Sequence, residues 1–175
     1  MEIQDFLLEA YSGVLRTLEH VLEGLTREDL NWQPKPDCNN IGWLVWHPTR
    51  WQDVQISSLM GEEQLWIKDG WHKKFGKPAD PKDTGTGDKP ADLAKFRFPD
   101  VKTLLGYHRA VLERSQRYFK TLKKADLDRV IEDAPYQPPP TLGMSLIGTL
   151  SDGLEHAGQA GYVRGLRQGY GWQPW

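Results

Sequence analysis

Apolar residues recur at helical spacing over four long stretches of the chain. In residues 2–25 the positions Phe6, Leu7, Tyr11, Val14, Leu15, Leu18, Val21, Leu22 and Leu25 repeat every three or four residues, which predicts one amphipathic helix. Residues 41–60 predict a second, capped by Asn39 or Asn40 and stopped by Gly61. Its inner face holds Ile41, Leu44, His47, Trp51 and Val54 or Gln55, so His47 stands where an apolar residue belongs. Pro48 implies either a kink at His47 or a new helix with the proline in its first turn. Asp100 caps a third helix reaching Leu122, with the stripe Val101, Leu104, Leu105, His108, Val111, Leu112 and Phe119. The fourth helix covers residues 146–166.

The remaining segments are connections. Residues 61–99 have little periodicity. Their first part carries Trp66, Trp71 and Phe75 and is expected to pack over one end of the domain; residues 76–90, rich in Gly, Pro, Asp and Lys, read as a mobile surface loop. Short turns fall at 26–29 and 126–129, and 136–140 is an extended proline-rich linker. Residues 169–175 form a non-helical tail whose tryptophans either dock or stay loose. No strand pair or internal repeat is evident. The whole chain, 1–175, therefore reads as a single all-α domain: a four-helix bundle with a long crossover connection between the second and third helices.

The fourth helix carries an unusual stripe. Ser145, Thr149, Asp152, His156, Gln159 and Val163 follow one face, mostly polar, while Leu146, Ile147, Leu150 and Leu154 beside it imply burial. Asp152 and His156 are four residues apart and project from the same side, one turn above the other. A buried carboxylate and imidazole need compensation. A metal ion supplies it; a hydrogen-bonded Asp–His pair is the alternative. Bundles build metal sites from side chains of facing helices, and a catalytic zinc takes three protein ligands. His47 on the second helix completes the set His47, Asp152 and His156, for which zinc or nickel is suited.

Other candidates have ordinary readings beside the functional one. His108 is either a packed histidine or an acid/base group facing the same cavity. Gln159 is placed to hydrogen-bond a ligand imidazole. Trp51 and Arg50 are pocket candidates, with core packing and surface exposure as the alternatives; the same holds for Trp43 and Trp46. Gly158, Gly161 and Gly165 share a face and suggest close helix–helix contact. His20 reads as a surface or partly packed residue, and His72, next to Lys73 and Lys74, as solvated.

Composition narrows the function. Twenty-two Lys and Arg against 24 Asp and Glu give a net charge of −2, with no basic patch for nucleic acid or an anionic membrane. No apolar run approaches a membrane span, and no signal pattern opens the chain. The lone cysteine, Cys38, forms no internal disulfide and suits a cytoplasmic setting. Eight tryptophans suit a pocket for an apolar ligand as well as a core.

The segments NNIGWLVWHPTRWQD (39–53) and SDGLEHAGQAGYVRGL (151–166), with YHRAVLERS and WQPKPD, resemble the DinB/YfiT superfamily, near its branch of mycothiol-dependent maleylpyruvate isomerase. The resemblance spans nearly the whole chain. It implies a DinB-like four-helix bundle, often a homodimer, with a divalent metal held at the slots occupied here by His47, Asp152 and His156. This chain departs from the pattern twice: Asp152 replaces a Glu or His, and Pro48 follows the helix-two histidine in place of an aliphatic residue. The implied activity is that of a metal-dependent thiol S-transferase or isomerase, in which mycothiol or bacillithiol attacks an electrophile. A non-catalytic stress or ligand-binding protein with the same pocket is the alternative, and a structural dimer with a vestigial site is a third.

Overall fold

The computed structural model describes residues 1–134, 136–169 and 171–172, apart from the side chains of Pro90, Ala91 and Ala94. In chain order the helices are α1 (Ile3–Leu22), α2 (Arg27–Asn31), α3 (Ile41–Met60), α4 (Leu65–Lys68), α5 (Trp71–Lys74), α6 (Pro90–Lys95), α7 (Val101–Phe119) and α8 (Leu142–Gln168), with a 3₁₀ turn at Lys124–Asp128 before α8. No strand occurs among the described residues. None of their helices is long and apolar enough to cross a membrane.

The long helices begin where the sequence offers side-chain acceptors for orphan amides. Asn40 accepts from the Trp43 N–H, Asp100 from Thr103 and Thr141 from Met144. Gly61 ends α3 in the left-handed conformation that glycine adopts without strain. Pro48 does not break α3, which runs unbroken from Ile41 to Met60. The helix thus gives up one backbone hydrogen bond, from position 48 to the Leu44 carbonyl. One residue on, the Thr49 hydroxyl donates to the Val45 carbonyl at 2.8 Å.

Side-chain bridges set the helix directions. The Tyr11 hydroxyl donates to the Leu146 carbonyl, and Arg164 reaches the carbonyls of His20 and Val21, so α1 and α8 run the same way. Thr49 meets His108 and Gln52 meets Ser115, so α3 and α7 also run together. Gln55 meets Ser145 and His47 meets Asp152, which makes α3 and α8 antiparallel. Two consecutive long helices that share a direction need a connection traversing the bundle. That is the physical reason for the long 61–100 segment. In cross-section α3 packs on α7 and α8, and α1 packs on the same two.

Apolar layers fill both ends. One gathers Trp46, Trp66, Phe98, Leu104 and Tyr107 with Leu22 and Ala160; the other gathers Leu7, Tyr11, Ile56, Phe119 and Leu146. Gly42 is required where Phe98 crosses α3, because a Cβ there would lie 2.4 Å from the Phe98 ring. Asp53, fully buried, accepts from the Leu65 and Trp66 amides and from the Tyr107 hydroxyl. Arg50 and Arg114 flank it. This network ties α4 and α7 to α3.

Several expectations change. The 76–90 segment is tied to α3: the carbonyls of Pro81 and Asp83 accept from Arg50, and Thr84 and Gly85 are buried. His72 is buried and faces the Trp66 carbonyl at 2.9 Å, so it is not solvated. Gly161 keeps the close helix contact expected of it, since a Cβ there would lie 3.5 Å from Val21 of α1, and with Gly165 it also seats Trp172 of the tail, whose ring a Cβ would approach to 3.3 Å and 3.7 Å. Ile147 and Leu154, expected to be buried, are 65% and 51% exposed. Of the 169–175 tail, Tyr170 and residues 173–175, Trp175 among them, lie outside the described residues.

Candidate metal centre

His47 and Asp152 face each other across the α3/α8 contact, and His156 stands one turn beyond Asp152. One potential ligand atom from each lies within 4.8 Å of the other two. The Asp152 Oδ1 is 3.8 Å from His47 Nε2 and 3.5 Å from His156 Nε2. These separations exceed hydrogen-bonding distance for charged groups, about 2.7–2.9 Å. A hydrogen-bonded Asp–His pair is therefore not what holds the cluster. They approach the spacing of roughly 3.3 Å that tetrahedral geometry with bonds of about 2.0 Å would impose on ligand atoms.

Partners on the far side of each ring fix the tautomers. His47 Nδ1–H donates to the Thr84 carbonyl at 2.6 Å, and His156 Nδ1–H donates to Gln159 Oε1 at 2.7 Å. Each imidazole then turns an Nε2 lone pair toward the carboxylate. Asp152 Oδ2 is buried with no hydrogen-bond partner. The three groups thus converge as acceptors with no donor between them, an arrangement that a cation satisfies and that is unfavourable without one. The donor set, two neutral imidazoles and a carboxylate, fits a divalent ion.

Burial acts on the same groups. It lowers the His47 pKa below the ordinary imidazole value, opposed by the Thr84 carbonyl and by Asp152. It raises the Asp152 carboxyl above the ordinary carboxylate value, opposed by the two imidazoles. Desolvation therefore keeps His47 neutral, as a metal ligand must be. The side chains remain 12%, 26% and 15% exposed for His47, Asp152 and His156, so solvent reaches the carboxylate side.

Trp43 forms the wall. Its ring stacks on His47 with centroids 4.5 Å apart and meets His156 edge-on at 5.5 Å. Its Nε1–H donates to Asp88 at 3.3 Å. Thr84 and Asp88 went unnoticed in the sequence because both lie in the loop-like 76–90 segment. Gln159, three residues after His156, is where its spacing put it.

The other candidates lie elsewhere. His108 is buried on α7 and its Nδ1–H donates to the Thr49 hydroxyl at 2.9 Å; it is not part of the cluster. Desolvation lowers its pKa to about 4. Arg50 is fully buried, spending its donors on Asp53, Tyr107, Gln64 and loop carbonyls, so that of its readings neither surface exposure nor a donor left for a pocket ligand applies. Trp51 is half-buried on α3. A cleft of about 580 Å³ lies between α1 and α7 beside Arg16, His20 and Arg109, and none of the cluster residues lines it.

A helical bundle of this topology, with His, Asp and His converging between its antiparallel α3 and α8, belongs to the class of bundles whose facing helices could hold a metal ion. The chain belongs to the DinB superfamily, whose family model matches residues 10–160. It is similar to the crystal structure of a conserved protein from Enterococcus faecalis, with 29% sequence identity and a TM-score of 0.85 over 95% of this chain and 97% of that one. No curated protein matches the sequence significantly.

Proposed function

We propose that the protein is a metal-dependent enzyme that activates a low-molecular-weight thiol, mycothiol or bacillithiol, for attack on an electrophilic carbon, in the manner of the isomerase branch of the superfamily. The observation that carries this reading is the convergence of three acceptor atoms without a donor. His47, Asp152 and His156 would hold zinc or nickel, leaving further coordination positions on the solvent side. A divalent cation there lowers the pKa of a coordinating thiol, so that thiolate forms at neutral pH. The protein's own residues supply the rest: Thr84 and Gln159 orient the rings, and Trp43 excludes water from one side. The free thiol of Cys38 suits a reducing cytoplasm.

The test pairs elemental analysis with turnover. Purified protein is expected to carry about one zinc or nickel per chain, lost in His156→Ala, and to conjugate mycothiol or bacillithiol to a model electrophile such as 1-chloro-2,4-dinitrobenzene. Stoichiometric metal with no turnover for any thiol would favour a ligand-binding protein instead.

The same reading includes a homodimer, supported by the outward face of α8. Met144, Ile147, Leu154, Tyr162 and Leu166 are each more than half exposed on this helix. Among the exposed residues from Met144 to Leu166 the one charged side chain is Glu155. The pattern is symmetric about Leu154 and Glu155: Ser151 mirrors Gly158, and Ile147 mirrors Tyr162. An antiparallel pair of α8 helices on a twofold axis would set Leu154 against Glu155 at the centre, small Ser151 against Gly158 beside it and large Ile147 against Tyr162 further out. Light scattering is expected to give a dimer that Leu154→Arg converts to a monomer; a monomeric wild type would refute this part.

A further inference from the structure

Tryptophan faces in this protein are covered. Trp32, Trp46, Trp66, Trp71 and Trp172 each lie under a lysine or arginine cation, and Trp43 lies under the His47 ring. Among the described tryptophans Trp51 is the exception. It is half-buried, packs against neither apolar layer, and meets no ring, cation or hydrogen-bond partner among the described residues. A single exposed aromatic is ordinary on a protein surface; the position of this one is not.

Trp51 is no member of the cluster but stands one turn after His47 on α3, about 6 Å along the axis. Helical side chains lean toward the N-terminus, so its ring is directed over the turn that carries His47. The antiparallel crossing sets His47 against Asp152 and Gln55 against Ser145. Trp51, midway between, therefore faces the 148–149 step of α8. Thr149 is buried there, and Gly148 brings no side chain: a Cβ built on it would meet nothing within 4 Å. The cluster is thus walled on one side by Trp43 and the Thr84 carbonyl, and bordered on the other by a bare indole across from a glycine. The indole face carries negative partial charge, which disfavours an anion and favours an electron-poor ring. A cation suits that face elsewhere in the chain, but here it would stand beside a divalent ion and be repelled. A neutral ring meets neither objection, and a ring whose carbon accepts a thiolate is electron-poor.

We propose that Trp51 is the platform on which the electrophilic substrate stacks, and that this substrate is a neutral, planar, electron-poor ring of the activated-arene or quinone class, its edge beside the metal centre. The occupant's role as electrophile rests on the thiol-transfer reading; its binding is measured without turnover.

The probe is 1,3-dinitrobenzene, a planar electron-poor arene without a halide leaving group, titrated into the full zinc-loaded chain. Its binding is followed by the indole N–H resonances in nitrogen–proton correlation spectra and by equilibrium dialysis. The Trp51 resonance, assigned by its loss in Trp51→Phe, is expected to move upfield as probe is added, while that of the fully buried Trp66 stays fixed. Trp51→Phe keeps an aromatic face and should bind within about threefold of wild type. Trp51→Leu keeps only apolar area and should bind about tenfold more weakly. Both variants should retain the zinc content of wild type. 1,3-Dimethoxybenzene, equally planar but electron-rich, should bind at least about threefold more weakly than the dinitro compound. An unmoved Trp51 resonance, undiminished binding in Trp51→Leu, or dimethoxybenzene binding as tightly would overturn the proposal. Zinc lost from Trp51→Leu would do the same, by making Trp51 a support of the cluster. So would probe binding confined to the Leu154→Arg monomer, since the second copy would then cover the ring. Zinc and probe binding without turnover for any thiol would sink the thiol reading alone; turnover with no probe binding would sink the platform alone.

Discussion

Replacing Asp152 with Asn should have opposite effects on the metal-free and metal-loaded protein. Without metal, the carboxylate faces two Nε2 lone pairs at 3.5 and 3.8 Å, and its Oδ2 is buried with no partner. An unsatisfied buried acceptor costs about 1–3 kcal/mol. The 26% exposure of this side chain places it at the low end. Asn keeps the shape, removes the charge and offers N–H groups to an imidazole a few tenths of an ångström beyond hydrogen-bonding range. In chelator, Asp152→Asn should therefore be more stable than wild type by about 1 kcal/mol, which for a domain of this size is roughly 2–4 °C in Tm. Zinc at a hundredfold excess over its Kd adds about 2.7 kcal/mol to a protein that binds it only when folded. Wild type should thus gain roughly 5–10 °C with zinc, and the variant little or nothing. Tryptophan-monitored thermal melts in chelator and in zinc measure both effects on the same samples. An ordinary Asp–His ion pair would make the variant less stable in chelator. That result, or a zinc-induced shift as large in the variant as in wild type, would refute the reasoning.

Three further outcomes follow from the same structure. His108 binds a proton at about pH 4 in the folded chain, against 6.5 in the unfolded one, so between those values the unfolded state holds more protons and stability falls as pH drops. Urea melts should show a loss of about 2 kcal/mol between pH 7 and pH 5 from this group, absent in His108→Leu; equal losses in both proteins would refute it. Gly85→Ala adds a Cβ at φ +84°, 2.8 Å from both Trp43 Nε1 and Trp46 Cζ3, and should displace the Thr84 carbonyl from His47. Its zinc Kd, read by chelator competition, should rise about 10–100-fold, the usual effect of losing a ligand's orienting partner. Arg50→Met leaves Asp53 buried beside one fewer cation and should cost about 3–5 kcal/mol in denaturant melts; a loss under about 1 kcal/mol would refute it.

The two halves of the candidate site differ in how far they could be read from sequence, and the difference is one of range. Asp152, His156 and Gln159 share one helix, where spacing alone sets direction, so their grouping and the hydrogen bond from His156 to Gln159 were legible. The caps at Asn40 and Asp100 were legible for the same local reason. His47 stood out as a polar residue on an apolar face, yet its partner, the Thr84 carbonyl, lies 37 residues away in a Gly- and Asp-rich segment. Such composition is shared by mobile loops and by chain that must lie close against a flat aromatic surface. Here the second applies: Gly85 lets the backbone touch Trp43 and Trp46, and the loop's carbonyls satisfy Arg50. Arg50 and His72 were misjudged alike, because a side chain's charge predicts exposure only when no remote backbone acceptor is brought to it. On α8, periodicity marked apolar positions without telling an inward face from an outward one. That helix is apolar on both, and only the packing of α1 and α3 reveals that Ile147 and Leu154 are left outside. The metal-site half carried by α3 thus depends on a connection that must cross the bundle because α3 and α7 run the same way. The crossing is what delivers Thr84 to His47, so the length of the 61–100 segment and the tautomer of a candidate ligand have a single topological cause.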